Sequence, residues 1–319
     1  MPEQKDDASE LLRFPNPVSG RPLPPAAPAP SPSASPGPLF DFGEDEDTGP
    51  EMELVSTPSP AASTPSPAPL SGTDLSGRHK IIFWVGRGKT GKTTGIRWLA
   101  EKTLLNGTPL LMADMDATND TFSRYIDKVA RPPETIDPAL SLKWLDRLLQ
   151  HSLTQKMSAL IDLGGGDTTL RRLAVELPDL VALFEAQGFA AVLFHTVGPQ
   201  EEDLSPLAIL QGLGFKPTAS AIILNEAMVD VGETRDTAFA RILRHSVFRR
   251  AISEGAVPVF MPRLSAAQPV EIRRLKFHDA VAGKNGRADT PLGPFDRARV
   301  RLWLEAMDAN FAGVSSWLP

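Results

Sequence analysis

The sequence contains no cysteine, which excludes disulfides, thiolate catalysis, iron–sulfur clusters and cysteine-ligated zinc. No apolar stretch approaches the roughly 18 residues that a membrane-spanning helix needs. The opening MPEQKDDASELLRF lacks the basic start and apolar run of a secretory signal, so the expected compartment is the cytoplasm. The five histidines, His79, His151, His195, His245 and His278, show no metal-ligand spacing.

Proline is abundant and unevenly placed. Of the 31 prolines in 319 residues, 17 fall within the first 76, in steps such as Pro24-Pro25-Ala26-Ala27-Pro28 and Ser56-Thr57-Pro58-Ser59-Pro60. Such a composition buries too little apolar surface to offset chain entropy, and residues 1–78 are expected to form a disordered tail. The tail is acidic, with 12 acids up to Ser76 against Lys5, Arg13 and Arg21. Within it Leu39, Phe40 and Phe42 lie beside the acids Asp41 and Glu44 to Asp47. That pattern suits a solvated linker, a segment that orders on a protein partner, or one that docks on the basic half of its own chain. Residues 79–319 have the length of a single domain with a sizeable core.

From Lys80 onward, short apolar runs alternate with helical patterns. Ile81 to Val85, Leu110 to Ala113, Ala159 to Leu163, Ala190 to Phe194, Ala221 to Leu224 and Val257 to Met261 are brief, apolar and bounded by Gly, Pro, Asp or Asn, as fully buried parallel strands are. Between them lie helical spacings such as Leu142, Leu145, Leu148 and Leu149, or Phe239, Ile242, Leu243 and Val247. The alternation predicts a three-layer α/β domain with a mostly parallel sheet covered on both faces. Residues 283–294 read as a loop before a last helix carrying Val300, Trp303, Leu304, Met307 and Phe311 on one side. Its Arg297, Arg299 and Arg301 raise the alternative of a membrane-surface helix, but one apolar stripe is the ordinary mark of core packing.

The strongest chemical signal follows the first strand. Gly86-Arg87-Gly88-Lys89-Thr90-Gly91-Lys92-Thr93 fits G-x-x-x-x-G-K-[ST] between a buried strand and a helix, the phosphate loop of nucleotide-binding domains. Its glycines let backbone N–H groups turn inward around phosphate oxygens, and the helix beginning near Thr93 and Thr94 offers its positive end to the same anion. Lys92 is placed to bridge the β- and γ-phosphates and Thr93 to put its hydroxyl on Mg²⁺. The second strand ends in Asp114-Met115-Asp116. Alternation puts both carboxylates on one face at the carboxyl edge, where one can orient an attacking water or hold a water of the Mg²⁺ shell. A turn or cap role is expected of one of Asp114, Asp116 and Asp120. The third strand ends in Asp162 before Gly164-Gly165-Gly166, a pattern in which the carboxylate holds Mg²⁺ through water and the glycines pivot toward a γ-phosphate.

Taken together these motifs resemble the ParA/MinD group of P-loop ATPases, and within it the TraL-type conjugal-transfer proteins. Asp114-Met-Asp116-Ala-Thr-Asn-Asp120-Thr-Phe122 is similar to their D-x-D-P-x-N-x-T-F. The similarity continues in pieces through Ile161-Asp162-Leu-Gly164, His195-Thr196-Val197, Ile223-Leu224-Asn225-Glu226 and Gly232-Glu233-Thr234, and stops short of the tail. It implies slow Mg²⁺-dependent ATP hydrolysis driving a conformational or dimerisation cycle in plasmid transfer or partitioning, with Asp116 for the water and Asp162 for the Mg²⁺ shell. Asn225 aligns with the group's adenine-binding Asn and Pro262 with the loop beside the base. A strand-end turn residue accounts for Asn225 equally well. No N-K-x-D guanine signature follows it, which favours ATP over GTP.

Two positions depart from the group. Its signature lysine, which reaches the partner's nucleotide across a dimer, is Arg87 here, suited to act in trans on phosphate or simply to face solvent. Its second glycine is Lys89, so the loop is expected to avoid the left-handed backbone at that position. Relatives in the group bind DNA nonspecifically through basic surfaces, and between Arg235 and Arg301 there are 14 Lys and Arg against 6 Asp and Glu; a solvated helical face reads the same way. Two other functions stay open: a nucleotide-occupied switch with negligible turnover, and a small-molecule kinase with Arg171 and Arg172 as lid arginines.

Overall fold

The computed structural model describes residues 71–116, 122–132 and 137–319. The proline-rich segment up to residue 70, with its expected disorder, and Asp120 lie outside the described residues. In chain order the elements are β1 (His79–Val85), α1 (Lys92–Leu105), β2 (Leu110–Asp114), α2 (Pro138–Gln155), β3 (Ser158–Asp162), α3 (Thr169–Glu176), α4 (Leu180–Ala186), β4 (Phe189–Val197), α5 (Ser205–Gly212), β5 (Ala219–Asn225), α6 (Arg235–Ala238), α7 (Ala240–Arg244), α8 (Ser246–Ser253), β6 (Val257–Met261), α9 (Ala267–Ile272), α10 (Phe277–Val281) and α11 (Pro294–Asn310).

The strands form one six-stranded parallel sheet in the order β2-β3-β1-β4-β5-β6. Each expected apolar run is one of them, because a parallel strand covered on both faces has no solvated side to mark with polar residues. Along β1 the alternation sorts the side chains between two cores. Ile82 and Trp84 pack with Ile96 and Leu99 of α1 and with Val300, Trp303 and Met307 of α11. Ile81, Phe83 and Val85 pack with Leu145 and Leu149 of α2, Leu173 of α3 and Phe184 of α4. Burying each of these large side chains stabilises the fold by about 1.5–3 kcal/mol, so β1 is fixed from both faces. From β1 the chain runs to β2 and β3 on one side, and from the neighbouring β4 it runs to β5 and β6 on the other. Loops that diverge in this way open a crevice at the carboxyl edge of the sheet.

The folded body starts earlier than composition predicts. Residues 71–78, assigned above to the tail, pack on the C-terminal segment: Leu75 is buried, Trp317 Nε1 donates to the Thr73 carbonyl at 2.7 Å, and the Leu75 amide donates to Ser316 Oγ at 3.1 Å. The stretch holding Phe239, Ile242, Leu243 and Val247 is two short helices rather than one, with Phe239 at the cap of α7, Ile242 and Leu243 in α7 and Val247 in α8. At His245 the backbone is extended, and its side chain accepts from the Val247 amide to start α8. The last helix is a core helix, with Val300, Trp303, Met307 and Phe311 buried. Among the described residues no helix is long and apolar enough to cross a membrane.

Candidate functional site

The turn from β1 into α1 breaks two rules that helices ordinarily follow. Helix starts favour Ser, Thr, Asp or Asn at the cap and acids in the first turn, because the first amides lack partners and carry partial positive charge. Here the cap is Gly91, at φ 87°, with no side-chain cap and no acid in the first turn. The first helical residue is Lys92, a buried cation. Among the described residues its Nζ hydrogen-bonds only the Arg87 carbonyl, at 3.4 Å. Thr93 and Thr94 follow, both half-buried. Positive charge is therefore gathered where a helix tolerates it least.

The loop itself is tightly held. The Thr90 hydroxyl donates to the Arg87 carbonyl at 2.9 Å, and Asn225 Nδ2 donates to the Thr90 carbonyl at 2.8 Å. Asn225 Oδ1 accepts from the Ala227 amide at 3.0 Å. Of its two readings, the turn role is realised, and the side chain clamps the glycine-rich loop as well. Gly91 must be glycine for a second reason besides its positive φ, since a Cβ there would overlap Asn225 Nδ2. Pro262 follows Met261, the register partner of Asn225. Its carbonyl accepts from Trp303 Nε1 at 2.9 Å.

Lys89 corrects the expectation drawn from its side chain. It sits at φ 68°, in the left-handed region. The loop keeps the shape a glycine would allow, and an exposed Lys adopts it at a penalty of roughly 1–2 kcal/mol. Gly86 and Gly88 flank Arg87, and both Arg87 and Gly88 are exposed. The Arg87 side chain is 46% exposed and makes an ion pair. Its Nη1 pairs with Asp203 Oδ1 of its own chain at 3.2 Å.

Because β3 lies beside β1, with Trp84 opposite Asp162, the Asp162 carboxylate ends next to this loop. Asp162 is buried and its Oδ1 has no hydrogen-bond partner among the described residues. Burial pushes its carboxyl up to about 7; Lys92 pulls it down, and Asp114 and Asp116 push it further up. Asp114 takes the turn role foreseen for one acid of its strand end. Its Oδ1 accepts from the Asp116 amide at 3.1 Å and its Oδ2 from the Ser123 amide at 3.3 Å, while burial raises its pKa. Asp116 stays half-exposed, and a Cβ on Gly164 would lie 3.1 Å from its carboxyl carbon. Asp116, Asp162 and Lys92 thus form one electrostatic group at the carboxyl edge.

The turn after β3 closes the site. Asp167 accepts from the Thr169 amide at 2.7 Å and starts α3, and burial raises its pKa. Gly165 leans on the glycine-rich loop, and a small cleft beside it is lined by Gly86, Asp167, Arg171 and Pro206 among others. Arg171 reaches this cleft; Arg172 is exposed.

Two residues of the site have no role in the motifs: Asp203 stands outside them, and His195 belongs only to the resemblance. Asp203 carries the Arg87 pair, and its Oδ2 accepts from the Gly198 amide at 2.9 Å. His195 places Nε2 3.0 Å from the Asp203 carbonyl, and its Nδ1 has no partner among the described residues. Burial pushes its pKa down to about 4, which keeps the ring neutral at ordinary pH. Of the 14 Lys and Arg from Arg235 to Arg301, Arg235, Arg250, Lys276, Lys284, Arg299 and Arg301 each face a carboxylate of the same chain. The chain matches no protein-family model and no curated protein.

Proposed function

We propose that the chain binds ATP with Mg²⁺ at the β1–α1 turn and hydrolyses it slowly, in a conformational or dimerisation cycle of the ParA/MinD kind. By the same resemblance its setting is plasmid transfer or partitioning. One observation carries the reading: a helix start with no side-chain cap, a buried Lys92 at its first position, and in the same electrostatic group a buried carboxylate oxygen of Asp162 that has no hydrogen-bond partner among the described residues. Uncapped amides and an ammonium attract phosphate oxygens, and an unpartnered carboxylate oxygen suits a hydrated cation.

The residues present fit Mg²⁺. Among the described residues no three His, Asp or Glu side chains gather to hold an ion unaided, but Mg²⁺ at a nucleotide is normally held by one or two protein groups, water and the phosphates themselves. Thr93 and Asp162 are the groups to hold it. When bound, the ion neutralises charge on the phosphate oxygens. Lys92 binds the phosphates, Asp116 orients the attacking water from its half-exposed position, and Asp114 stays with the backbone. Asn225 holds the loop in shape. ATP is preferred to GTP because Asn225-Glu226-Ala227-Met228 lacks the guanine-reading lysine and aspartate.

The test is calorimetric binding and phosphate release with wild type, Lys92→Ala and Asp116→Ala. The proposal expects Lys92→Ala to lose binding and Asp116→Ala to bind but not hydrolyse. A second reading, a nucleotide-occupied switch with negligible turnover, is favoured by the pairing of Arg87 with Asp203, which keeps that guanidinium off the phosphates. It expects binding by wild type with no measurable phosphate release.

A further inference from the structure

We propose that Asp203 is a positioning residue that latches Arg87 in the nucleotide-free protein, and that a bound triphosphate draws the guanidinium away from it. The inference rests on the nucleotide reading of the same loop and adds a restraint from the far side of β1.

The two partners differ in freedom. The Asp203 carboxylate is fixed: its side chain is only 8% exposed, Oδ2 accepts from the Gly198 amide at 2.9 Å, and its backbone carbonyl faces His195 Nε2 at 3.0 Å. Gly198 is pressed so closely on it that a Cβ there would lie 2.8 Å from Oδ2. Arg87 has one pair among the described residues, at 3.2 Å, and its side chain is 46% exposed. When the pair opens, Asp203 keeps the Gly198 hydrogen bond and is not left a bare buried charge. Arg87 is meanwhile free to swing on a loop whose backbone is held through Thr90 and Asn225. Its planar fork suits phosphate oxygens as well as carboxylates, so the two anions compete for it. A partly exposed pair of this kind weakens a competitor by about two- to fivefold.

The experiment is calorimetry of the full chain with Mg²⁺ and a non-hydrolysable ATP analogue, on wild type, Asp203→Asn, Arg87→Ala and the double variant. Asparagine keeps an oxygen for the Gly198 amide and removes the charge. The latch predicts about two- to fivefold tighter binding in Asp203→Asn, weaker binding in Arg87→Ala, and no gain from Asp203→Asn when Arg87 is already alanine. Equal or weaker binding in Asp203→Asn, or a gain that survives without Arg87, overturns the latch while leaving the nucleotide reading intact. No binding by any of the four proteins overturns the nucleotide reading and the latch with it. Should Asp203→Asn fail to fold, the wild-type Arg87 Nε resonance, identified by its loss in Arg87→Ala, must shift when the analogue is added; an unmoved resonance beside measurable binding overturns the latch.

Discussion

Gly165, in the turn after β3, is pressed against Gly88 in the loop after β1: a Cβ on Gly165 would overlap the Gly88 nitrogen and lie 2.7 Å from its Cα. The two loops that carry Asp162 and Lys92 therefore touch through bare backbone. Gly165→Ala must push one of them aside, at a penalty of about 1–3 kcal/mol. The expected outcome is at least a roughly tenfold loss of ATP-analogue affinity, measured by calorimetry, while the neighbouring Gly166→Ala, where a Cβ meets nothing within 4 Å, binds as wild type does.

Lys89 holds a left-handed backbone at φ 68° without being glycine. Relief of that strain and the greater freedom of an unfolded glycine oppose each other, so Lys89→Gly should change stability by no more than about 1 kcal/mol. Lys89→Val, branched at Cβ, should lose about 1–2 kcal/mol. Urea unfolding of the two variants beside wild type checks the difference.

Asn225 connects two strand ends and a loop by donating to the Thr90 carbonyl and accepting from the Ala227 amide. Asn225→Ala leaves the buried Thr90 carbonyl without its partner, a loss of about 1–3 kcal/mol, and frees the more exposed Ala227 amide to water. Melting should fall by several degrees or more, and nucleotide affinity should fall with it. Asn225→Asp keeps the acceptor but turns a carboxylate toward the Thr90 carbonyl, so its affinity loss should be no smaller.

Asp162 opposes folding at neutral pH. Burial raises its carboxyl to about 7 in the folded chain, above the ordinary carboxylate value near 3.9. Between those pH values the folded state holds a proton that the unfolded state has released, so stability falls as pH rises through this window. Asp162→Asn removes the penalty and should be more stable than wild type by about 2–4 kcal/mol at pH 8. The advantage should shrink toward pH 5. Thermal unfolding without nucleotide or Mg²⁺ at both pH values checks the sign, and hydrolysis should be lost in the same variant.

The fold was legible because its signal is coarse. Ile81 to Val85 and the other apolar runs read as buried parallel strands, and the strands are there; β1 also takes in His79 and Lys80, since ladder hydrogen bonds belong to the backbone and ignore side-chain polarity. Gly86 to Thr93 could be placed at a strand-to-helix turn from spacing alone. Asp203 could not be found, because Glu201-Glu202-Asp203 reads as a solvated acidic turn. Its burial arises from β4 lying beside β1, with His195 opposite Val85, a pairing that no local pattern carries. Arg97 is hidden for the same reason. It reads as a polar face of α1, yet it is buried, with its guanidinium 3.5 Å from the Tyr125 ring centroid and 4.4 Å from that of Phe277, residues far from it in sequence.

The most direct measurement is isothermal calorimetry of purified wild type and Lys92→Ala with ATP and Mg²⁺. The account predicts saturable binding by wild type and at least a roughly tenfold weaker association when the Lys92 ammonium is removed. Equal affinity in the two proteins, or no heat from wild type with any nucleoside triphosphate, would contradict it.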